Sequence, residues 1–395
     1  MSDLNIRVQR PADDEVVGIV EALEWQSTHC RDVGSPLAAG ILTAVANDVV
    51  SGGDLAGMLP RGARFGDLSG LRVMSVVHRL AIERVAPLVA LHLPTLGGTP
   101  PVGEAAMLAW QTAVVEALAS HPDALAEGLA RAPQTNETGR AALLRLALSS
   151  IHAGSPVRLM EIGAAAGLNL RADHLPGDPV LEEAPLPRVV ERVGCDLEPI
   201  DITTQEGRTR LSSYVWVDDV ERFARLGAAL EVAARVPATV VRQDAADFVE
   251  GLELVDGTTT VLWHSAMWAY LAPDTRRSIL AQSARLGSEA TESARFAHVS
   301  WEWPGAGADD AGTHELVVRE WGGGADGRPS RLTAAPHITN ADGLIAHRVV
   351  GDESVSNRVD QWFGRPYVLA RGPSHGPGSG LVPRRELDVD PLAHT

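Results

Sequence analysis

An acidic residue followed by two spaced glycines forms the segment best suited to chemistry. Glu161–Asn169 reads EIGAAAGLN and begins within the last two residues of a predicted short buried strand, Val157–Ile162. Gly163 permits a tight turn, and Gly167 permits the backbone to come close to a ligand. We therefore predict that the chain leaves a strand here, bends around a nucleotide-like cofactor and continues into a helix. Simple packing of a helix onto a sheet is the alternative.

The spacing is typical of one kind of cofactor loop. Glu-x-Gly-x-x-x-Gly fits the first motif of class I methyltransferases, which bind S-adenosylmethionine. The dinucleotide pattern Gly-x-Gly-x-x-Gly fits less well, because alanine stands where that pattern has its second glycine. The residues predicted to bind the cofactor here are Glu161, Gly163, Ala165, Gly167 and Asn169.

Acidic residues also follow two later apolar runs. Asp196 ends the run from Val193 and is predicted to hold the ribose hydroxyls. The alternative is that Asp196 is a turn or cap residue, in which case Asp201 would hold the ribose. Asp244 and Ala245 are predicted to lie beside the adenine ring. Asp244 also suits the N-cap of the next helix, and both roles are compatible.

The apolar run ending at Trp263 leads into polar residues. Ser265 is predicted to bind the cofactor, and His264 to act as a general base or a wall of the site. Tyr270 is predicted to position a reacting group. A structural histidine and packed aromatic residues are the alternatives.

A polar cluster precedes the first strand of the second half. Gln134, Asn136 and Arg140 are predicted to bind a polar or zwitterionic substrate, and Glu137 to accept a proton. The alternative is a helix N-cap at Thr135 or Asn136.

The elements that must position these residues fall into two blocks. Residues 1–150 read as a helical domain, with an apolar stripe over Val16–Trp25, a helix start at Ser35-Pro36 and an interruption at Pro87. Residues 151–350 alternate strands with helices, which predicts a parallel sheet, and a strand-like hairpin follows Glu315. Residues 351–395 are expected to be an extension with a disordered tail. The predicted fold class is α/β: a Rossmann-like, methyltransferase-type parallel sheet with an N-terminal helical domain.

Composition excludes several functions. All 34 basic residues are arginine, so the chain offers no lysine for a pyridoxal Schiff base or a P-loop. The formal net charge of -17 disfavours nucleic acid. We expect no membrane span, no secretion signal and no metal site, and the two cysteines do not form a disulfide framework; the expected location is therefore the cytoplasm.

Several motifs together resemble one family. These are Gln134–Arg140 (QTNETGR), Glu161–Leu170 (EIGAAAGLNL), His264–Ala266 and Ala269–Leu271. From about Trp25 to Val350 the chain resembles an uncharacterised bacterial family catalogued as domain of unknown function 2332. Ala165 stands where we expect serine. The resemblance implies no activity beyond the similarity of the second half to class I methyltransferases.

The predicted function is an S-adenosylmethionine-dependent methyltransferase acting on a small molecule, with catalysis mainly by alignment. One alternative is a cyclase or lyase that consumes the same cofactor and releases methylthioadenosine, with Glu137 and Tyr270 positioning the amino acid part. Another is a non-catalytic cofactor-binding module. A nicotinamide-dependent reductase is disfavoured by Ala165. The sequence does not indicate an oligomeric state.

Overall fold

The computed structural model describes residues 16–64, 67–151, 154–175, 185–302, 314–322 and 367–372. The described chain divides into two compact units. The helical unit takes the residues up to Thr135 together with Ile200–Leu230. The sheet unit takes Asn136–Pro199 and the described residues from Glu231 onward. The predicted domain boundaries were at residues 150 and 350. In the structure the sheet unit instead begins at Asn136, and residues 200–230 belong to the helical unit.

Helices are spread along both units. The described residues contain eleven α-helices: α1 (Ile19–Asp32), α2 (Pro36–Val50), α3 (Ser69–Ile82), α4 (Pro87–Ala90), α5 (Glu104–Ala119), α6 (Pro122–Ala130), α7 (Ala141–Ser150), α8 (Gln205–Ser213), α9 (Val220–Ala233), α10 (Ala245–Glu250) and α11 (Pro273–Glu289). The predicted interruption is confirmed, since α3 ends before Pro87 and α4 begins at it. Proline suits this first position because its missing N–H is not needed there.

The beginning of the first predicted helix is wrong. Val16–Gly18 forms a short strand, β1, which pairs antiparallel with β2 (Gly62–Arg64). Helix α1 begins only at Ile19. Valine is β-branched and favours extended backbone, so the pairing with β2 overrides the helical spacing of the apolar residues.

The helical unit has its own apolar core. Side chains from α1, α2, α3 and α5 are fully buried in it, and Trp110 of α5 is the largest. A Cβ atom on Gly40 of α2 would lie 3.0 Å from the Trp110 ring, so this glycine lets the two helices come close. Gln111 donates to the Gly40 carbonyl at 3.1 Å and strengthens the same contact.

Residues 215–218 complete the helical unit through polar contacts. Asp218 accepts from the backbone N–H of Leu37 at 2.8 Å and from the Ser35 hydroxyl, and so caps α2 from a distant part of the chain. The buried His78 ring bonds through Nδ1 to the Val215 carbonyl at 2.8 Å. Its Nε2 lies 3.0 Å from the hydroxyl of Thr95.

Seven strands of the described residues form one sheet in the sheet unit. They are β3 (Val157–Ile162), β4 (Val189–Asp196), β5 (Thr239–Arg242), β6 (Thr258–Ser265), β7 (Ala294–Glu302), β8 (His314–Trp321) and β9 (Tyr367–Gly372). Their order is β5-β4-β3-β6-β7-β8-β9. The first five are parallel, while β8 and β9 add antiparallel pairs at one edge.

The predicted α/β class with a mostly parallel sheet is therefore confirmed. The strand order reverses between β3 and β6, because the chain moves from β3 toward one edge and from β6 toward the other. Strand β9 lies within the predicted extension and is part of the sheet. The remaining residues of that extension, with the predicted tail, lie outside the described residues.

The helix predicted after the glycine segment is wrong. A short 3-10 helix, Asn169–His174, takes its place, and Arg171 inside it has non-helical dihedral angles. Arg192 of β4 forms a bidentate ion pair with Asp173 of this segment: Nη1 donates to Oδ1 at 2.8 Å and Nη2 donates to Oδ2 at 2.7 Å. Asparagine and aspartate side chains compete with helical backbone bonds, which disfavours a longer helix here.

Candidate functional site

Polar residues meet at the carboxyl ends of the parallel strands. Glu161 lies opposite Gly194 of β4 on one side and Trp263 of β6 on the other. Asp196 and Ser265 end β4 and β6. Parallel strands place their carboxyl ends at one edge, and ligands of open α/β sheets bind there, at the reversal of strand order. The site described below lies at this edge.

The glycine segment makes a tight turn with three left-handed residues. Gly163, Ala165 and Gly167 have φ angles of +68°, +51° and +67°. Gly163 is exposed to solvent, as a ligand-facing glycine requires. A Cβ on Gly167 would lie 2.7 Å from Val240 Cγ2, so this glycine serves close packing on β5. Of the two glycines, Gly163 is therefore the one exposed to solvent, and Gly167 is buried against the sheet.

Asp196 ties this turn to β4. Its Oδ2 accepts from the Ala165 N–H at 2.9 Å, and its Oδ1 accepts from the Glu198 N–H at 2.9 Å. Asp201, the alternative ribose ligand, belongs to the helical unit, where it accepts from Thr203.

The segment before α7 enters the site through a short 3-10 helix, Thr138–Arg140. Glu137 caps this helix by accepting from the Gly139 N–H at 2.9 Å. Asn136 has a φ of +36° and accepts from the Leu168 N–H at 3.1 Å. The cap is therefore supplied by Glu137, while Asn136 instead binds the glycine segment.

Arg140 and Asn169 connect this segment to the strand ends. Arg140 Nη1 donates to the Ser265 carbonyl at 3.2 Å and lies 3.5 Å from its hydroxyl. Asn169 Nδ2 donates to the Glu137 carbonyl at 3.3 Å. The structure thus brings Asn136, Glu137 and Arg140 together with the glycine segment. Gln134 belongs to the helical unit, where it accepts from Arg210.

Glu161 is the electrostatically unusual residue of the site. It is fully buried, and burial raises the pKa of its carboxyl well above the usual value. The Arg140 guanidinium opposes this shift, while Asp196 adds to it. Among the described residues, Glu161 Oε2 and Asn169 Oδ1 have no hydrogen-bond partner. The site therefore contains two buried acceptor atoms, and the Trp263 side chain, whose N–H is a buried donor, lies beside Glu161 and lowers the pKa of its carboxyl.

The predicted catalytic residues do not converge. His264 is 3 % exposed and is adjacent to Trp263, so it faces the opposite side of the sheet from Glu161. Both of its ring nitrogens are engaged, Nδ1 with Glu302 at 2.8 Å and Nε2 with His298 at 3.0 Å. Tyr270 is 60 % exposed.

The third predicted acid serves as a helix cap. Asp244 accepts from the Ala246 N–H at 2.7 Å and begins α10, whose first residue, Ala245, is buried. The predicted contact with an adenine ring stays a prediction. The sequence-based prediction of the site did not include Glu302, whose signal is a carboxylate at the end of β7.

Two broader expectations bear on the kind of site. In the part of the chain that the structure describes, no group of three or more histidine, cysteine, aspartate or glutamate residues is arranged to hold a metal ion. No described helix combines the length and the apolar character that crossing a membrane requires.

Fold and site together define an α/β protein whose polar site lies at the carboxyl ends of a mostly parallel sheet. The chain belongs to the family described as "Uncharacterized protein conserved in bacteria" (DUF2332), whose model matches residues 20–177 and 174–340. The resemblance drawn from its motifs is thereby confirmed. No curated protein and no solved structure matches the chain.

Proposed function

We propose that this chain binds S-adenosylmethionine and transfers its methyl group to a small molecule. The reversal of strand order between β3 and β6 supports a cofactor site at their carboxyl ends, because ligands of open α/β sheets bind at such a point. The finer assignment of the sheet as Rossmann-like, of the methyltransferase type, is part of the same proposal.

The observation that carries the proposal is a pair of buried acceptor atoms near a guanidinium. Glu161 Oε2 and Asn169 Oδ1 lack partners among the described residues, and Arg140 lies close enough to affect the Glu161 pKa. An unsatisfied buried polar atom costs about 1–3 kcal/mol. A ligand ammonium would satisfy both acceptors, and Arg140 suits the adjacent carboxylate. This is the pattern of an α-amino acid group, which adenosylmethionine carries.

The ribose fits the neighbouring strand end. Asp196 uses one lone pair of each oxygen to hold the backbone N–H groups of Ala165 and Glu198. These bonds to the backbone keep the carboxylate oriented, and an oriented carboxylate at a strand end suits the paired hydroxyls of a ribose. Ala165 then acts through Asp196, since its N–H is already donated to that carboxylate.

The protein's contribution to the reaction is mainly alignment. When bound, adenosylmethionine supplies a methyl group on a positively charged sulfur. Glu161, Asn169 and Arg140 would hold its amino acid part, and Asp196 its ribose, so that an acceptor meets the methyl group in a fixed geometry. Glu137 is buried beside this cluster, and its role in the proposal is that of a general base, which accepts a proton from the methyl acceptor.

Isothermal titration calorimetry with adenosylmethionine and adenosylhomocysteine tests the proposal. We expect both compounds to bind, and Glu161→Gln and Arg140→Met each to weaken adenosylmethionine binding at least about tenfold, since a hydrogen bond to a charged group contributes about 1.5–3 kcal/mol. Glu191→Gln and Arg277→Met are matched controls, because both residues form ion pairs elsewhere in the sheet unit. No binding by the wild type would refute the proposal.

The identity of the product then separates the possible reactions. Incubation with adenosylmethionine and a pool of small-molecule acceptors, followed by mass spectrometry, should yield adenosylhomocysteine. Methylthioadenosine would instead show cyclisation or lysis. Binding without turnover on any acceptor would favour the non-catalytic module.

A further inference from the structure

Glu302 gathers three hydrogen-bond donors at the carboxyl end of β7. Its Oε1 accepts from His264 Nδ1 at 2.8 Å and from the Met267 N–H at 3.2 Å. Its Oε2 accepts from the Trp268 N–H at 3.2 Å. All three partners donate, so both oxygens must act as acceptors, and an ionised carboxylate meets that requirement.

His264 is fixed from its other sides as well. Nε2 of the same ring lies 3.0 Å from His298 Nε2, within hydrogen-bond distance. His298 is fully buried, and this burial, with smaller contributions from His264 and Arg319, holds the pKa of His298 well below its usual range. The His264 ring also stacks on Trp268, with ring centres 5.0 Å apart.

These contacts place the segment Ala266–Trp268 against the glycine turn. Ala266 has a φ of +48° and donates to the Trp301 carbonyl at 2.9 Å, which turns the chain back after β6. Met267 then lies over Gly163: a Cβ on that glycine would come within 3.1 Å of Met267 Cγ. The thioether side chain therefore borders the exposed glycine of the site.

We propose that Glu302 is a positioning residue that fixes Met267 as a wall of the ligand site at Gly163. It acts through the His264 ring and the amides of Met267 and Trp268. The inference rests on the proposed function, and it adds the chemistry of the ligand at this point. A polarisable, uncharged thioether suits a sulfonium or an adenosyl group and offers nothing to a phosphate.

Hydrogen exchange of the ligand-free protein tests the positioning directly. Glu302→Gln keeps the shape but replaces one acceptor oxygen by an amide NH₂, so the backbone amide that faces the NH₂, that of Met267 or that of Trp268, should exchange at least about tenfold faster, the effect of losing one hydrogen bond. Glu302→Asp, which keeps both acceptors, should recover part of the protection. Glu191→Gln, a strand glutamate paired with Arg158, should leave both amides unchanged.

Titration with adenosylmethionine tests the role of the wall. Glu302→Gln and Met267→Ala should each weaken binding about fivefold or more, whereas Glu191→Gln should not. Faster exchange combined with unchanged affinity would overturn the inference, and so would unchanged exchange in Glu302→Gln. If the wild type fails to bind adenosylmethionine while exchange rises as expected, the positioning by Glu302 stands and the proposed cofactor falls.

Discussion

Acidification should destabilise the helical unit through one buried histidine. Burial lowers the pKa of His78 to about 4 from an ordinary value of 6.5, against the opposing effect of its bond to the Val215 carbonyl. Between these two values the unfolded chain binds a proton that the folded protein does not. The free energy of unfolding is therefore not reduced by His78 above pH 6.5, and it decreases as the pH falls below that value.

The size of the effect follows from the two pKa values. Each unit of difference corresponds to about 1.4 kcal/mol, so linkage predicts a loss of about 2 kcal/mol between pH 7 and pH 5, and about 3 kcal/mol by pH 4. His78→Asn retains an N–H donor for Val215 but has no proton to gain. The variant should therefore lack this component, although it is less stable than the wild type at pH 7.

Urea unfolding followed by far-ultraviolet circular dichroism at pH 7 and pH 5 measures the difference. The loss of stability on acidification should be about 2 kcal/mol smaller in His78→Asn than in the wild type. His92→Asn is the matched control, because His92 also bonds to a backbone carbonyl in the same unit. Equal losses in the wild type and His78→Asn would refute the reasoning.

Four further predictions concern the site and its support. The affinity for adenosylmethionine should rise with pH until the pH passes the raised pKa of Glu161, because the ligand binds the ionised carboxylate. Below that pH, binding should release protons, which calorimetry in buffers of different ionisation enthalpy would measure. An affinity that does not change with pH would contradict this. Asp196→Ala should weaken adenosylmethionine at least about tenfold, and adenine alone much less, by competition binding. Gly167→Ala should lower the free energy of unfolding in urea by about 2–4 kcal/mol, because of the positive φ at this position and the contact of the new Cβ with Val240. In a Val240→Ala background the same substitution should cost less, because the steric contact is removed. Asp218→Ala should lower stability by about 1–2 kcal/mol by removing the cap of α2, whereas an undiminished unfolding midpoint would argue against that role.

Local sequence predicted the parallel strands of the sheet, because each signal lies within the strand, but it did not predict β9. Val157–Ile162 is a strand over the predicted residues, and the apolar run predicted before Asp244 is β5. Strands of a parallel sheet are covered on both faces, and therefore read as short continuous apolar runs. The acids at the ends of β3 and β4 followed from the same runs.

Contacts between distant segments could not be predicted in this way. Glu302 bonds to a histidine 38 positions earlier, and Asp218 bonds to Ser35, the N-cap residue of α2, 183 positions earlier. Nothing in the sequence around either acid indicates these partners. The same reason explains why residues 200–230 were not assigned to the helical unit.

The helical unit is built from two separate segments of the chain, and this has a consequence for biosynthesis. Its first 135 residues leave the ribosome well before Val215 and Asp218 do, and the first two strands of the sheet unit are translated in between. Until then α2 lacks its cap and His78 lacks its carbonyl. A nascent chain arrested at this stage should expose apolar surface and recruit chaperones, and a recombinant fragment ending there should aggregate.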